Sequence, residues 1–248
     1  DNIDIEAATA KGIIVLNAPE GNTIAATEHT VAMMLSMARN IPQAHSSVQN
    51  GEWKRNQFVG VEMRGKTLGV IGLGRIGSGV AKRAIAFDMK VIGYDPYVNE
   101  ERAKTMGIEV VSLEEIYANA DFISVHMPLT AQTKDLINSE TISKMKDGVY
   151  LVNCARGGII NEADLAEAVK AGKVAGAAID VFPKEPIEPN SPLLGVDKIV
   201  LTPHLGASTV EAQIGVSVDV AYGIVAALKG EPVTTAVNMA PVAPHVLK

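Results

Sequence analysis

The chain has 248 residues, enough for one large domain or for one domain and part of another. Hydrophobic residues make up 47% and charged residues 20%, a globular composition, and a net charge of −6 without any cluster of Lys and Arg argues against nucleic acid as a partner. The one cysteine, Cys154, excludes an internal disulfide and fits a reducing, cytoplasmic compartment, and no run approaches the ~18 uncharged apolar residues that would predict a membrane span.

The chain opens on DNIDIEAATAKGIIVLN, with Asp1 in first place, which reads as a helix already under way and then a short strand over 13–16. The expectation is a fragment whose natural N-terminal part is missing. Residues 23–39 predict a helix that is apolar round most of its circumference, hence a core helix or a subunit-interface helix. Apolar runs then predict strands over 68–72, 90–94, 109–111, 122–126, 149–153, 174–181 and 199–201, with helices between most of them. Ser112-Leu113-Glu114-Glu115 is a capping box, and another helix is expected over 162–171, with Asn161 as N-cap and Gly172 past its end. The last helix is framed by a second capping box, Ser208-Thr209-Val210-Glu211, and by Lys229, Gly230 and Pro232. The stretch after it, TTAVNMAPVAPHVLK, reads either as a linker or as an ordinary tail. Alternating apolar strands and helices give an α/β fold with a doubly wound parallel sheet.

The motif GLGRIG at 72–77 directly follows the apolar run 67–71, and Asp95 closes a second apolar run that ends at Tyr94. Strand, glycine turn, helix, strand and acid is the order a dinucleotide needs. Gly72 permits the tight turn, Gly74 lets backbone approach a pyrophosphate, and Gly77 lets helix and strand pack closely. The pyrophosphate then meets the free N–H groups of a helix N-terminus. A carboxylate at Asp95 accepts from a ribose 2′-OH and repels a 2′-phosphate, and Pro96 and Tyr97 follow with no adjacent Arg. The cofactor expected is therefore NAD, not NADP.

Ligands of such sheets bind beyond the carboxyl ends of the strands, so the chemistry is sought just after each strand. Arg156, within NCARGG, can grip a carboxylate with two parallel hydrogen bonds, or be a surface arginine in a turn. His204, within TPHLGAS, is a loop imidazole able to exchange protons near neutrality, or a structural histidine. Glu185, within DVFPKEP, can bond the far ring nitrogen and fix its tautomer, or be an exposed loop glutamate. Asp180, at a strand end, can accept from a nicotinamide carboxamide or from backbone. Cys154 reads as a small buried residue rather than a nucleophile. His29 lies inside the apolar helix, His45 in a polar stretch, His126 at a strand end and His245 in the tail; all four are weaker candidates. No CxxC or HExxH spacing is present, so no metal is expected.

Taken together, GLGRIG, YDPY, NCARGGIINE, AIDVFPKEP and TPHLGASTVEAQ resemble the D-isomer-specific 2-hydroxyacid dehydrogenases, in the expected order over about 230 residues. The segments NAPEGNTIAATEHTVAMMLSMARNIPQA and TPHLGASTVEAQ are most like the branch that oxidises 3-phospho-D-glycerate, ahead of relatives acting on glyoxylate, hydroxypyruvate or lactate. NAD-sensing corepressors share the fold, and a methyltransferase would leave Arg156, Glu185 and His204 without a task. The resemblance implies that Arg156 binds the substrate carboxylate, that His204 is the general acid–base, and that Glu185 pairs with it. It places Gly72, Gly74, Arg75, Ile76 and Gly77 on the pyrophosphate side of NAD, Asp95 on the adenosine ribose, and Asp180 on the carboxamide. Met127, Cys154, His204 and Gly206 would line the cofactor site, and Asn22 would fall in the hinge. It implies a flavodoxin-like substrate domain of which only remnants are present: 1–20 as a remnant, 21–210 as the NAD-binding domain, 211–236 as the returning helix and 237–248 as a linker or tail. A homodimer or homotetramer through the cofactor domain is implied, using residues 23–39 and the segment near Trp53.

Overall fold

The computed structural model describes residues 3–239. In chain order its elements are α1 (Ile5–Ala10), α2 (Thr23–Ala38), α3 (Ile41–Gln49), a 3-10 turn at Arg55–Gln57, β1 (Thr67–Ile71), α4 (Arg75–Ala86), β2 (Lys90–Tyr94), α5 (Glu100–Thr105) and β3 (Glu109–Val110). There follow α6 (Leu113–Asn119), β4 (Phe122–Val125), α7 (Ser139–Ser143), β5 (Val149–Asn153), α8 (Glu162–Lys170), β6 (Val174–Ile179), β7 (Ile199–Leu201) and α9 (Val210–Leu228). The residues fall into two compact units, one formed by Asp1–Ala25 with Ala207–Lys248 and the other by Ala26–Gly206.

The larger unit is one seven-stranded sheet in the order β3-β2-β1-β4-β5-β6-β7, every pair parallel. The order reverses between β1 and β4, which makes the crevice beyond those two strands the topological switch point. Side chains alternate between two cores, as a sheet covered on both faces requires. Ile71, Ile123, Val125 and Leu151 pack with Ile116 of α6, Ile142 of α7 and Leu165 of α8 on one face. Leu68, Val70, Phe122 and Val152 pack with Met34 and Met37 of α2, Val80 of α4 and Ala103 of α5 on the other. The helix expected over 23–39 is thus a core helix along much of its length, with Met34 fully buried.

Helix starts follow local chemistry. Ser112 and Glu115 close the expected capping box of α6, and Asn138 with Thr141 form another on α7, which the hydrophobic pattern did not reveal. Asn161 caps α8 as expected.

In the smaller unit the expected strand over 13–16 reduces to one antiparallel bridge, Leu16 to Ala236, flanked by Val237 N donating to Val15 O at 2.9 Å and Asn17 N to Thr235 O at 3.2 Å. Asn238 adds side-chain bonds to Val15 N and Ile13 O. The stretch read as a linker or tail over 237–248 lies mostly outside the described residues, as does His245. α9 begins one residue later than the expected capping box: Thr209, not Ser208, is the N-cap, and it accepts from Ala212 N. Among the described residues α9 is the one helix long and apolar enough, by length and composition, to cross a membrane, although it holds no uninterrupted apolar run. Its many small residues keep the helix apolar on average where a run-count sees interruptions. Asp219 stands at its middle, where a charge is costly in lipid.

Candidate functional site

Strand register gathers the site. Tyr94, Ile71, Val125, Asn153, Ile179 and Leu201 form one line across the sheet, each partnered with the next. The residue following each is Asp95, Gly72, His126, Cys154, Asp180 and Thr202. Residues scattered over more than a hundred positions of sequence therefore emerge at one edge.

At the β1 end, Gly72 has φ +99 and donates its N–H to Tyr94 O at 2.7 Å. A Cβ on Gly77 would stand 1.9 Å from Gly72 O, so helix and turn meet backbone to backbone. A Cβ on Gly74 would meet nothing within 4 Å, and Gly74 caps α4 with no side-chain bond. The first i to i−4 bond of α4 is Ser78 N to Gly74 O at 2.9 Å, so the amides of Ile76 and Gly77 precede the helical ladder. This open cradle at a helix N-terminus fits the pyrophosphate of a dinucleotide. Asp95 does more than the sequence suggested: Oδ2 accepts from Leu73 N at 2.8 Å, within the glycine turn itself, and Oδ1 from Tyr97 N at 2.8 Å. Met127 lies beside the turn, its Cγ 3.0 Å from where a Gly72 Cβ would stand.

At the β4 end, His126 bonds the Ser124 hydroxyl at 2.8 Å, and burial pushes its imidazole down to about 4. It is neutral near pH 7 and structural. At the β5 end, the buried Asn153 side chain brackets the next turn, accepting from Ala155 N at 3.0 Å and donating to Arg156 O at 2.9 Å. Arg156 is exposed beside it, with Nη1 donating to Ala155 O at 2.7 Å. Gly157 lies against the backbone of Phe182, tying this turn to the DVFPKEP loop. Burial, with the Asp180 charge nearby, pushes the Cys154 thiol up to about 12, so it is no thiolate nucleophile.

At the β6 and β7 ends the loop 202–206 wraps around Asp180. His204, Leu205 and Gly206 donate three successive backbone N–H groups to Asp180 O, Oδ1 and Oδ2 at 2.8, 2.8 and 2.9 Å. Thr202 Oγ1 donates to Oδ1 at 2.5 Å, and His29 Nε2 lies 3.1 Å from the same oxygen. Asp180 is fully buried; burial alone would raise its carboxyl, but the His29 bond, Thr202 and the Leu205 amide hold it below the ordinary value. His204 adopts φ +55 in this loop. Its Nδ1 lies 2.7 Å from Glu185 Oε2, while Glu185 Oε1 accepts from Phe182 N at 3.0 Å. A carboxylate can only accept, so Nδ1 carries the proton and Nε2 is left for exchange with a ligand.

Sequence reasoning missed Asn153 and Thr202 and ranked His29 only among the weaker candidates. Asn153 and Thr202 sit beside the motif residues they support and could have been found by asking what holds each strand end. His29 carried no such signal, because its partners come from distant strands. His29, Cys154 and Asp180 place a nitrogen, a sulfur and an oxygen within 4.8 Å of one another, a grouping that motif spacing does not reveal. Hydrogen bonds within the protein occupy Asp180 there.

Residues 31–206 match the family model described as the D-isomer specific 2-hydroxyacid dehydrogenase, NAD binding domain. The chain is 54% identical over 244 residues to a D-3-phosphoglycerate dehydrogenase of Archaeoglobus fulgidus, covering 98% of this chain and 46% of that protein. It is 54% identical over 239 residues to that of Bacillus subtilis, covering 96% and 45%. The chain therefore spans about half the length of the curated relatives it matches. Among solved structures, a glyoxylate reductase from Paecilomyes thermophila superposes with a TM-score of 0.88 at 35% identity, over 96% of this chain and 72% of that one. A D-lactate dehydrogenase from Aquifex aeolicus, complexed with NAD and lactic acid, gives 0.84 at 34% identity, over 93% and 74%.

Proposed function

This chain belongs to the D-isomer specific 2-hydroxyacid dehydrogenases through their NAD-binding domain, and from that premise we propose that the whole protein oxidises 3-phospho-D-glycerate to 3-phosphohydroxypyruvate, as the first step of serine synthesis. The observation that carries the reading is the 2.7 Å Glu185–His204 pair standing at the same sheet edge as the glycine turn.

NAD, when bound, supplies the hydride acceptor for the C2 hydrogen. The protein supplies the rest. Gly72, Gly74 and Gly77 with the α4 amides hold the pyrophosphate, and Asp95 takes the ribose hydroxyls. His204 Nε2 receives the proton of the C2 hydroxyl, and Glu185 steadies the imidazolium that results. Arg156 holds the substrate carboxylate, and that positioning lowers the barrier by on the order of several kcal/mol.

Domain organisation and assembly are part of the same proposal. The smaller unit belongs to a substrate domain, on which the exposed apolar face of α9 (Ile214, Val218, Tyr222, Val225) is covered. The protein is a homodimer through its cofactor domain. Trp53 and Val59, 84% and 79% exposed, with Ile41 and Val48 of α3, form the apolar surface that a second copy covers. It works in solution in the cytoplasm, without nucleic acid, membrane or metal.

The test is His204→Asn in the full-length protein. Turnover of 3-phosphoglycerate is expected to fall at least about 100-fold with NADH affinity nearly unchanged. An unchanged rate rejects the acid–base role, and parent enzyme that turns over glyoxylate but not 3-phosphoglycerate rejects the substrate.

A further inference from the structure

The carboxylate of Asp180 is held unequally. Oδ1 has three donors around it, Thr202 Oγ1 at 2.5 Å, Leu205 N at 2.8 Å and His29 Nε2 at 3.1 Å. Oδ2 has one, Gly206 N at 2.9 Å. An ionised carboxylate offers about four lone-pair directions, so the capacity that remains lies on Oδ2.

Thr202, Leu205 and Gly206 all belong to the loop that also carries His204. They would follow the loop if it moved and cannot fix Asp180 relative to the sheet. His29 comes from elsewhere, from the middle of α2, one turn before Met33 and flanked by the buried Thr30. Its Nε2 also lies 3.3 Å from Thr202 Oγ1, and the same hydroxyl lies 3.6 Å from Met33 Sδ. Since Asp180 only accepts, the His29 proton sits on Nε2. Among the described residues, α2 thus contributes the one donor seen on the Asp180 carboxylate that does not travel with the loop, and that donor's side chain is only 18% exposed.

We propose that His29 is a positioning residue for the redox end of the cofactor: it pins Asp180 Oδ1 to α2, so that Oδ2, buried here beneath the His204 loop, meets the carboxamide N–H₂ of the nicotinamide when that loop shifts. The inference rests on the reading that places Asp180 at the nicotinamide. It predicts that His29 matters to the nicotinamide half of the ligand and not to the adenosine half, which Gly72 and Asp95 hold at the other end of the strand line.

The experiment is calorimetric titration of this chain with NADH and, separately, with ADP-ribose, which lacks the nicotinamide. Two variants are compared with the parent: His29→Met, which fills the volume and removes the donor, and His29→Gln, which restores a neutral N–H donor at similar reach. His29→Met is expected to weaken NADH by about tenfold, in keeping with one hydrogen bond to a charged group, and to leave ADP-ribose within about twofold. His29→Gln is expected to recover most of the loss. Equal loss for both ligands, equal loss in both variants, or no loss in His29→Met overturns the inference while leaving the cofactor site standing. A parent chain that binds neither ligand overturns the cofactor reading itself, and the inference with it.

Discussion

The two ends of the strand line solve the same problem in different ways. Around β1 and β2, the glycine turn, the helix it opens and Asp95 lie within two dozen residues, and their contacts are local: Gly72 N to Tyr94 O, and Asp95 to Leu73 N. Around β5 to β7, the proposed working groups are Arg156, Asp180, Glu185 and His204, with His29 joining Asp180 from a helix far earlier in the chain. The first region is shaped by what a Cβ cannot occupy. The second is shaped by which donor reaches which carboxylate oxygen. Recognition of a phosphate needs backbone close to the ligand, so glycine carries it; moving a proton needs side chains at fixed angles, so a bonded network carries it.

A pair of glycine substitutions probes that contrast most strongly. Gly77→Ala puts a methyl 1.9 Å from Gly72 O, against backbone that cannot yield, with Val70 Cγ1 3.2 Å away. It is expected to lower stability by about 3 kcal/mol and to abolish NADH binding, read by denaturant unfolding and calorimetry. Gly74→Ala, which meets nothing within 4 Å, is expected to unfold with the parent yet still bind NADH less tightly. If both variants behave alike, steric logic does not govern this end.

His126, at the β4 end between the two regions, sharpens the comparison through pH. Burial holds its imidazole at about 4, below the value of 6.5 for a free side chain. The folded state therefore binds fewer protons than the unfolded one between those values, and stability falls as pH drops from 6.5 toward 4. His126→Asn is expected to flatten that limb by up to about 3 kcal/mol, measured as unfolding free energy against pH. An unchanged slope would show that the ring is solvated. Asp180 acts lower on the scale. Its depressed carboxyl stabilises the fold above the ordinary aspartate range, and that contribution is lost only as pH falls below it.

The smallest effect is the control. Ser112→Ala removes the α6 capping box, far from the strand ends, and is expected to cost about 1 kcal/mol by thermal unfolding with NADH affinity unchanged. A change in affinity there would mean that the two ends are coupled through the core rather than built separately.

Much of the molecule is legible before folding is considered, and the exceptions share a cause. The strands over 90–94, 149–153 and 199–201 lie where the apolar runs put them. Asn161 caps its helix because a side-chain oxygen three residues from an orphan amide needs no tertiary help. By contrast, α7 is only Ser139–Ser143, too short for a hydrophobic period to show, and α3 starts from Asn40 in a left-handed conformation that its polar sequence does not announce. The bridge at Leu16 exists only because residues near 236 return to it. Ser208 and Thr209 are chemically equivalent as caps, and backbone geometry chose the second.

Sequence alone determined the class of fold, the place of the glycine turn and the candidates for an acid–base pair, since periodicity, glycine spacing and short motifs are local properties of a chain. The tertiary structure decided what those residues lean on. Parallel register aligned six strand ends, Asp95 proved to brace the glycine turn, Asn153 proved to hold the Arg156 turn, and Asp180 became the hub of the His204 loop. It also turned His29 from a weaker candidate inside an apolar helix into a donor to a buried carboxylate. Hydrogen bonds between distant elements depend on where both ends come to rest, and no pattern within one segment can encode that.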